Sequence, residues 1–511
     1  MPSRRRQPAP NTRNARLPLM SRRGTSATSA IESPIVVASN RGPVSFDRDE
    51  RGRLSPRRGT GGLVTALSGV FYRDDTAWVS AAMTDGDRAV ALKGRTVTTD
   101  SNQRMRYVVI PPERYDGYYN EVSNRILWMV HHNLWDIPRS PLFDDGTQEA
   151  WEDFVEANRL FAEALAQAAD DDPVYLVQDY HLCLVPGMLR ELVAEAKIVH
   201  FSHTPFAGAT YLRVLPVTMR TAILRGMAGA DVLGFQAKQW AESYLLSARS
   251  LPELRVLRGG RIESDGRAGA VRSLPVAVSA EPLRETANTS EADDVRAELR
   301  EWAGDAKIVL RVDRLEPSKN ILRGFLAYEL FLRRNPRWVG TVRFLCLFSP
   351  SREDVPEYQN YGEECLAVAE RINDEFGTRS WKPIEIRVQE DYAFAVAAYD
   401  LYDLLFVNPT YDGMNLVAME GPLVNRRNGV LVLSRNAGAF SRLGRQSLGV
   451  NPFDLAETAE AIREGLEMPE DERARRARGL TRTVQAHTPA NWLADQLEAV
   501  DQVRPPRRRR A

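Results

Sequence analysis

The stretch Asp403–Glu420 reads DLLFVNPTYDGMNLVAME and has, in order, the features of a strand, a turn and a helix. Leu404–Val407 is a short apolar run of strand-forming residues, turn-forming Asn, Pro, Asp and Gly follow, and helix formers begin at Met414. In an open parallel sheet such a turn lies at the carboxyl ends of the strands, where ligands bind, and the first N–H groups of the helix face any anion held there. The stretch therefore predicts an α/β fold with a ligand site at this turn.

Two carboxylates belong to this stretch, Asp412 in the turn and Glu420 two turns along the helix. A carboxylate at the end of a strand accepts hydrogen bonds from two sugar hydroxyls, and a second one further along binds the diol of a ribose, so the pair suits a nucleotide sugar. The alternative is structural: Asp412 caps the helix and Glu420 is a surface charge. These two residues alone do not distinguish the two interpretations.

The composition indicates an ordinary globular protein. The 511 residues are enough for about two to four domains, and 43% hydrophobic with 27% charged residues is typical of this class. Lys plus Arg equals Asp plus Glu at 68 each, so no overall charge indicates nucleic acid as a partner. No apolar run approaches the roughly 18 residues of a membrane span. We therefore expect small molecules as partners, and the oligomeric state stays open, a homo-oligomer included.

The cysteines and histidines argue against a disulfide framework and a metal site. The three cysteines show no paired spacing and lie in apolar or helical contexts, which favours a reduced, cytoplasmic location. None of the six histidines pairs with a Glu or a Cys at the spacing of metal ligands, so we expect no metal.

Arginine-rich tails flank the chain. Residues 1–32 contain seven arginines, many small polar residues and one acid, a composition too polar to bury a core, so we predict disorder there. An export or organelle-targeting signal is the alternative, but no apolar region follows Arg22-Arg23 as a twin-arginine signal requires. Residues 504–511 contain four consecutive arginines and are interpreted as a second solvated tail.

Between the tails, short apolar runs alternate with helical patterns. The clearest helix is 151–169, whose apolar residues share one face. Regular alternation of this kind predicts doubly wound parallel sheets divided into two domains. The predicted strands are 35–39, 107–110, 174–177, 198–201, 232–235, 308–312, 342–348, 384–388, 404–407 and 430–433.

The predicted boundary is the acidic, polar segment 275–305, which contains no strand pattern. We assign residues 33–278 to the N-terminal domain and residues 279–484 to the C-terminal domain. The final helix, 485–503, is expected to cross back and complete the first domain. Two similar lobes with a cleft between them follow from this division.

The segment 311–320, RVDRLEPSKN, is a strand end followed by a loop and the start of a helix. Arg314 and Lys319 emerge there, and two cations at such an edge can neutralise the charge that builds on a departing nucleoside diphosphate. The alternative is a surface salt bridge with Glu316 or Asp313.

Two more strand ends carry polar residues, in QDYH (178–181) and in SHTPF (202–206). Asp179 is suited to orient or polarise an acceptor hydroxyl. His203 is suited to donate to a sugar oxygen or, through its peptide group, to stabilise charge. A lone histidine after a strand is more often structural, and this alternative stays open.

Three further segments supply binding groups. The first strand leads to Arg41 and a loop that reaches Gly59-Thr60-Gly61-Gly62, where backbone N–H groups can approach a diphosphate or simply form a tight turn. The segment 116–128, DGYYNEVSNRILW, combines aromatic rings with hydroxyls and suits a wall for a sugar ring. Arg352 follows the strand FLCLF and suits a phosphate on a second substrate.

Together these stretches resemble the trehalose-6-phosphate synthase family of retaining glycosyltransferases over residues 34–500. The motifs that carry the resemblance are, in order, SNRGPV, GTGGL, YYNEVSNRILW, QDYH, SHTPF, DRLEPSKN, PSREDV and DGMNLVAME. The resemblance implies a GT-B fold, in which two Rossmann-like lobes, the first for the acceptor and the second for the donor, face each other across the active site, with no metal or other cofactor. The implied reaction transfers glucose from UDP-glucose or GDP-glucose to glucose 6-phosphate and gives trehalose 6-phosphate.

The family's pattern, carried over by position, also implies roles for single residues. The implied catalytic residues are Arg314 and Lys319 on the donor diphosphate, His203 on the donor sugar's hydroxyls and Asp179 on the acceptor. The other donor residues are Gly62, Asp412, Gly413, Met414, Asn415, Leu416, Val417 and, on the ribose, Glu420. The other acceptor residues are Arg41, Tyr119, Trp128 and Arg352. In the implied chemistry the acceptor attacks from the face that the diphosphate leaves, and a leaving phosphate oxygen takes its proton.

Some positions depart from the family's usual pattern. Tyr411 stands where an arginine is usual, Met419 replaces the usual lysine, Asn408 replaces a small hydroxyl residue, and the neighbourhood of Ala81 lacks a second tryptophan. These departures leave the donor nucleobase open. Two other functions stay open as well: a transferase of the same fold with another phosphorylated acceptor, such as a glucosylglycerol-phosphate synthase or a pseudo-glycosyltransferase, and a regulatory homologue without turnover.

Overall fold

The structure is a computed structural model that describes residues 33–58, 67, 76–92, 94, 96–99, 103–168 and 172–504. The predicted N-terminal tail and the glycine-rich segment that contains Gly62 lie outside the described residues, as does the second tail from residue 505 onwards.

Eighteen strands are present in the described part of the chain. In chain order they are β1 Ile35–Ala38, β2 Val44–Arg48, β3 Leu54–Arg58, β4 Thr76–Ala81, β5 Val97–Thr98, β6 Arg104–Val108, β7 Val174–Gln178, β8 Lys197–Ser202, β9 Val232–Phe235, β10 Leu254–Leu257, β11 Arg261–Ser264, β12 Arg267–Ser273, β13 Lys307–Arg314, β14 Val342–Ser349, β15 Ile384–Val388, β16 Leu404–Val407, β17 Val430–Ser434 and β18 Leu448–Val450.

The α-helices lie between these strands. In chain order they are α1 Asp85–Ala91, α2 Pro112–Asp116, α3 Trp128–His131, α4 Asp145–Ala168, α5 Val185–Leu192, α6 Val217–Ala228, α7 Lys238–Ala248, α8 Ala280–Ala287, α9 Ser290–Ala303, α10 Ile321–Arg334, α11 Pro356–Phe376, α12 Tyr392–Tyr399, α13 Val417–Val424, α14 Phe440–Leu443, α15 Leu455–Glu467, α16 Glu470–Gln485 and α17 Pro489–Val503. A π-helix, Gly117–Leu127, joins α2 to α3, and short 3₁₀ turns lie at Tyr180–Leu182, Tyr211–Val214, Pro317–Lys319 and Pro336–Trp338.

Two sheets define two lobes. The first sheet has ten strands in the order β10-β11-β12-β9-β8-β7-β1-β4-β6-β5, and the second has six in the order β15-β14-β13-β16-β17-β18. The second sheet is parallel throughout. The first is parallel from β12 to β6 and antiparallel only at its edges. The predicted class, two doubly wound parallel sheets, is confirmed.

Every predicted strand is present, although the one at 107–110 is shifted to Arg104–Val108. Their central residues are buried on both faces, as in Ile35–Ala38, because helices cover both sides of a parallel sheet. The prediction missed β4, the β2–β3 hairpin, the edge strand β5, the strands β10–β12 at the other end of the first sheet, and β18. Most of these are short or lie at an edge, where polar residues mask the pattern.

The structure also shows the extent of the predicted helix 151–169 and the fold of the predicted boundary segment 275–305. The predicted helix 151–169 begins earlier, at Asp145, and ends at Ala168. The acidic segment 275–305 folds as the helices α8 and α9 and then enters the second sheet at Lys307. Arg296 of α9 is buried and pairs with Asp400 at 3.0 Å, which ties this segment to the second lobe.

The last helix, α17, lies on the sheet of the first lobe. Trp492 is fully buried, its Nε1 donates to the carbonyl of Leu274 at 3.0 Å, and its ring meets Phe201 edge-on with centroids 5.0 Å apart. Just beyond the helix, Arg504 pairs with Asp231 at 2.6 Å. The chain therefore visits the second lobe and returns to the first.

The lobes touch at the loop after β16. The backbone of Gly413 passes so close to the first lobe that a Cβ atom there would lie 1.8 Å from the carbonyl oxygen of His203. The indole Nε1 of Trp240, on α7, donates to the carbonyl of Gly413 at 3.1 Å. Because only glycine permits this approach, residue 413 sets how near the second lobe comes to the strand end of β8.

Candidate active site

Two loops leave neighbouring strands of the second sheet side by side. β13 and β14 are parallel and pair Arg314 with Ser349 at their carboxyl ends. The loop that holds Lys319 therefore starts next to the loop that holds Ser351 and Arg352. This register brings two predicted sets of residues, one for the donor and one for the acceptor, to the same edge.

Glu316 joins the two loops. Its side chain is fully buried, its Oε1 accepts from Arg314 at 3.1 Å and from Ser318 at 2.7 Å, and its Oε2 accepts from Arg352 at 2.9 Å and from Ser351 at 3.1 Å. Burial alone would raise the pKa of Glu316, but the charges of Arg314 and Arg352 outweigh that effect and lower the pKa to about 2. One carboxylate thus holds both guanidinium groups in place.

Trp128 supports the same two arginines from the first lobe. The guanidinium of Arg352 lies 3.9 Å from the ring centroid and that of Arg314 lies 5.0 Å away, both within the range of cation–π attraction. His132 stacks on the indole with centroids 4.1 Å apart. Because these groups cover the indole, Trp128 orients the cations and does not present a free face to a sugar.

The remaining acceptor residues continue from Trp128 along the first lobe. Tyr119 stacks between Tyr115, at 5.3 Å, and His181, at 5.6 Å, and Arg41 lies 5.8 Å from the same ring. Arg41 is exposed and has no ion-pair partner within the described ranges. An exposed guanidinium beside an aromatic ring is available to a phosphate.

Side chains near Arg352 on the second lobe contact side chains of the first lobe. Arg352 donates to the hydroxyl of Tyr180 at 3.4 Å, and Tyr358 donates to the carbonyl of Asn124 at 3.3 Å. Arg125 and Glu357 form an ion pair at 2.8 Å at the same boundary. The second lobe therefore reaches the first through side chains that flank Arg352.

Asp179 occupies the strand end of β7. Its Oδ1 accepts from the backbone N–H of His203 at 3.1 Å, and its own N–H donates to the carbonyl of Phe201 at 2.7 Å. Burial raises the pKa of Asp179 to about 6, against the lowering effect of backbone hydrogen bonds and of Arg352. The carboxylate is thus positioned by the neighbouring strand and retains capacity for another donor.

The ring of His203 is held by two glutamines. Gln236 accepts from the N–H of Val276 at 2.9 Å through its amide oxygen, so its amide nitrogen faces Nδ1 of His203, at 3.2 Å. Nδ1 is then the acceptor, and Nε2 carries the proton and donates to Gln178 at 3.0 Å. Burial lowers the pKa of His203 to about 3, so the ring is neutral. A sugar hydroxyl reaches this ring only by replacing one of the glutamines.

On the second lobe, Lys319 and Asp412 form a partly buried ion pair at 2.6 Å. Asn415 donates to the same carboxylate oxygen at 3.1 Å. Burial would raise the pKa of Asp412, but the charge of Lys319 outweighs it and the pKa is lowered. Lys319 and Asp412, predicted from different segments, therefore meet at one point.

A buried network fixes the loop that presents Lys319. Arg311 pairs with Asp313 at 2.9 Å, donates to Asn408 at 2.8 Å and also donates to the carbonyl of Lys319. Asn320 donates to the carbonyl of Asn408 at 3.0 Å. Since Asn408 is almost fully buried and bonded to Arg311, its side chain supports the loop and does not face the cleft.

Glu420 lies near the start of α13, whose N-terminal residues Leu416 and Val417 are half-buried. The hydroxyl of Tyr399 donates to its carboxylate at 3.4 Å, and burial raises the pKa of Glu420 to about 7. Met414, one of the predicted donor residues, is buried in the core. A half-buried carboxylate with one weak partner has unused acceptor capacity, as binding a diol requires.

Three of the predicted residues have left-handed backbone conformations: Asp179 at φ 73°, Arg352 at φ 47° and Asn415 at φ 80°. For residues other than glycine such conformations cost about 1–3 kcal/mol and cluster at functional sites. The strain falls on one residue at the end of β7 in the first lobe, one on the loop after β14 and one on the loop after β16.

The structure brings most of the predicted residues together around one gap, and Gly62 lies outside the described residues. The alternative of a salt bridge between Arg314 and Glu316 is also present, since Arg314 makes that pair. Glu316 was missed as a site residue because a carboxylate beside two cations reads as a surface partner. Gln178 and Gln236 were missed because nothing in their sequence context links them to His203.

The side chains at two positions that depart from the family pattern, 411 and 419, contact other protein groups. Tyr411 contacts the first lobe, with its ring centroid 6.2 Å from that of Trp240. Met419 is buried in the core of the second lobe. Both side chains therefore pack against protein.

Two kinds of feature are absent from the described part of the chain. No group of three His, Cys, Asp or Glu side chains is arranged to hold a metal ion. No helix there has the length and apolar character needed to cross a bilayer.

Comparisons with known proteins agree on one family. The family model described as glycosyltransferase family 20 matches residues 33–502. The chain is 33% identical over 478 residues to an alpha,alpha-trehalose-phosphate synthase [UDP-forming] of Schizosaccharomyces pombe, covering 90% of this chain and 88% of that protein.

Solved structures agree in fold. A UDP-forming synthase of the same name from Burkholderia xenovorans superposes with a TM-score of 0.79 at 26% identity, over 93% of this chain and 100% of that chain. An E. coli structure bound with UDP-2-fluoro glucose superposes with a TM-score of 0.80 at 26% identity, over 92% of this chain and 99% of that chain. The expected GT-B architecture is confirmed.

The geometry at Glu316 predicts a measurable loss of stability. Glu316→Gln keeps the shape of the side chain but removes the negative charge between two guanidiniums. Breaking a buried ion pair costs about 3–5 kcal/mol, and because the Arg314 side chain is 42% exposed we expect the lower end, about 3 kcal/mol of unfolding free energy. Chemical denaturation without substrates measures this loss. Added pyrophosphate should then raise the melting temperature of the variant more than that of the wild type.

Glu353→Gln is the matched control, because Glu353 lies on the same loop and is exposed. Its unfolding free energy should stay close to that of the wild type. If Glu316→Gln is as stable as this control, Glu316 does not hold the two arginines in solution.

Proposed function

The chain belongs to glycosyltransferase family 20, and on that premise we propose that it transfers glucose from UDP-glucose to glucose 6-phosphate, giving trehalose 6-phosphate. The observation that carries the proposal is the pairing of Arg314 and Arg352 with Glu316 at the boundary of the lobes. Two substrates that each carry phosphate need two cationic anchors at one site, and this carboxylate holds the two anchors side by side. The names of the relatives support UDP-glucose as the donor.

In this proposal the diphosphate of the donor binds at Arg314 and Lys319. The diphosphate competes with Asp412 for the ammonium group of Lys319, which lies 2.6 Å from that carboxylate. As the bond between the glucose C1 and the diphosphate breaks, negative charge builds on the phosphate oxygens and the two cations stabilise it. No metal ion or other cofactor is needed for this step. The ribose diol binds Glu420.

The acceptor phosphate binds Arg352 and Arg41, and Asp179 accepts from an acceptor hydroxyl. The acceptor oxygen forms its bond to C1 on the face that the diphosphate leaves, and the acceptor's proton passes to the leaving phosphate oxygen. No side chain of the enzyme forms a covalent intermediate. The rate then depends on positioning and charge stabilisation. The two glutamines at His203 fix the orientation of its neutral ring, and the peptide carbonyl of His203 lies against the backbone of Gly413.

The proposal places the reaction in the cytoplasm. The three cysteines, Cys183, Cys346 and Cys365, are buried free thiols, which supports a reduced compartment. Asn408, one of the departures that leave the nucleobase open, is buried and accepts from Arg311, which supports UDP-glucose over GDP-glucose in this proposal.

The direct test is incubation with UDP-, GDP- and ADP-glucose against glucose 6-phosphate and glycerol 3-phosphate, with identification of the product. We expect trehalose 6-phosphate from UDP-glucose and glucose 6-phosphate. Transfer only to glycerol 3-phosphate would assign the chain to a different acceptor, and absence of any product would favour a regulatory homologue.

Two substitutions separate the donor and acceptor roles. Lys319→Ala should lower kcat by about a hundredfold or more, because the leaving diphosphate loses a stabilising charge. Arg352→Ala should mainly raise KM for the phosphorylated acceptor. Steady-state kinetics with each substrate varied in turn measures both. Unchanged kcat in Lys319→Ala would remove Lys319 from the mechanism.

The ribose assignment predicts a pH dependence. The pKa of Glu420 is about 7, so the carboxyl is protonated below that pH and then accepts fewer hydrogen bonds from a diol. We expect kcat/KM for the donor to fall as pH drops below about 7, and Glu420→Gln to lower kcat/KM while removing the part of this decline above about pH 6, where Asp179 begins to titrate. The same acidic decline in Glu420→Gln would show that another group titrates.

A further inference from the structure

A cavity of about 610 Å³ lies in the second lobe, apart from the residues of the candidate active site. One wall is the C-terminal half of α16, and the opposite wall is the end of α13 with the loop 425–429 that follows it. None of the residues that line it is predicted to bind donor or acceptor.

The α16 wall carries hydrogen-bond donors on one face. Arg478, Arg482 and Gln485 are spaced four and three residues apart, so they lie on the same side of the helix. Both arginines are exposed, and neither has an ion-pair partner among residues 33–504 that the structure describes. By contrast, Arg475 and Arg476 on the same helix pair with Glu472 at 2.6 and 2.7 Å. The two cations of the cavity are therefore free to bind a ligand.

Tyr402 contributes to the wall of the cavity. Tyr402 lines the cavity, is fully buried, and its hydroxyl has no hydrogen-bond partner in the described part of the chain. Its ring is trapped against the backbone, because a Cβ atom on Gly429 would lie 2.1 Å from a ring carbon. Because this hydroxyl has no accessible surface, a ligand in the cavity does not reach it, and the ring serves as a fixed part of the wall.

The rest of the wall is rigid. Asn425 donates to the carbonyls of Tyr399 and Tyr402 at 2.9 and 3.0 Å and accepts from the backbone N–H groups of Arg427 and Gly429 at 3.0 and 2.8 Å. All hydrogen-bonding groups of this amide are used, so the loop is fixed without a ligand. The cavity is thus preformed.

We propose that this cavity binds the phosphate group of a small metabolite. Two unpaired guanidiniums at four-residue spacing match the oxygens of a phosphate, which accepts from planar N–H forks. The side-chain amide of Gln485 adds a neutral donor. The non-phosphate part of the ligand packs against Pro422, and the volume lies within the range of about 300–1,000 Å³ that is typical of small-molecule sites.

The site is connected to the donor site through one helix. α13 carries Glu420 and ends at the cavity, where the carbonyl of Pro422 accepts from the hydroxyl of Thr481 on α16 at 2.9 Å. A ligand that draws α16 towards α13 shifts α13 and so changes the position of the Glu420 carboxylate in the donor site. Resting on the proposed function, this connection predicts that the ligand changes KM for the nucleotide sugar and leaves KM for the acceptor unchanged.

The site is tested by isothermal titration calorimetry with two probes, inorganic phosphate and glycerol 2-phosphate. UDP and glucose 6-phosphate are present at saturation so that the phosphate positions of the cleft are filled without turnover. We expect the wild type to bind a probe. Arg478→Ala/Arg482→Ala should bind that probe at least about tenfold more weakly, because charge-assisted hydrogen bonds are lost. Tighter binding of glycerol 2-phosphate identifies an ester as the ligand, and equal or tighter binding of inorganic phosphate identifies the free ion.

Arg445→Ala/Arg475→Ala is the matched control, since it removes two exposed arginines of the same lobe that do not line the cavity. It should bind both probes as the wild type does. Equal affinity in the wild type and in Arg478→Ala/Arg482→Ala, or absence of binding to the wild type, overturns the proposal.

A kinetic arm tests the connection. Glycerol 2-phosphate should change KM for UDP-glucose by about threefold or more in the wild type and have no effect in Arg478→Ala/Arg482→Ala. An unchanged KM in the wild type overturns the connection through α13. Calorimetric binding does not depend on turnover, so failure of the phosphate site and failure of the proposed function give different results.

Discussion

The arrangement of the cleft depends on one buried carboxylate. Glu316 accepts hydrogen bonds from arginines of two loops, and those loops are adjacent because β13 and β14 are parallel neighbours with Arg314 opposite Ser349. A carboxylate removed from water is stable as an anion only beside such cations, and it in turn prevents the two guanidiniums from repelling each other. The pair of arginines therefore exists as a preformed anion site before any substrate arrives.

The second constraint is the distance between the lobes. The backbone of Gly413 meets the carbonyl of His203, and Gly438 allows an equally close approach to the carbonyl of Gly413, where a Cβ atom would lie 1.9 Å away. The first contact places the loop after β16 against the strand end of β8, which lies beside the strand end of β7 that holds Asp179. Because backbone atoms set the distance between the lobes at this point, rearrangement of side chains cannot bring the lobes closer together there.

Aromatic residues of the first lobe connect the two arginines of the second lobe with Arg41. Trp128 lies against both arginines of the second lobe, while Tyr119 and His181 continue the stack towards Arg41. On the second lobe, Glu316 anchors Arg314 and Arg352, and Asp412 anchors Lys319, whereas Arg41 on the first lobe is exposed. On the proposed function, the donor end of the cleft is thus preorganised and the acceptor end closes on its ligand.

Local sequence was sufficient for the two-lobed α/β class and the central strands, because buried parallel strands are short apolar runs between helices and each run can be recognised alone. It also placed Arg314, Lys319, Asp179 and Asp412 at strand ends, where parallel topology collects ligands. Only the tertiary structure decided three features: the strands β10–β12 at one end of the first sheet, the partnership of Glu316 with two arginines, and the two glutamines on His203. Each of these depends on residues far apart in the chain whose proximity is a property of strand order and register, which no local pattern records.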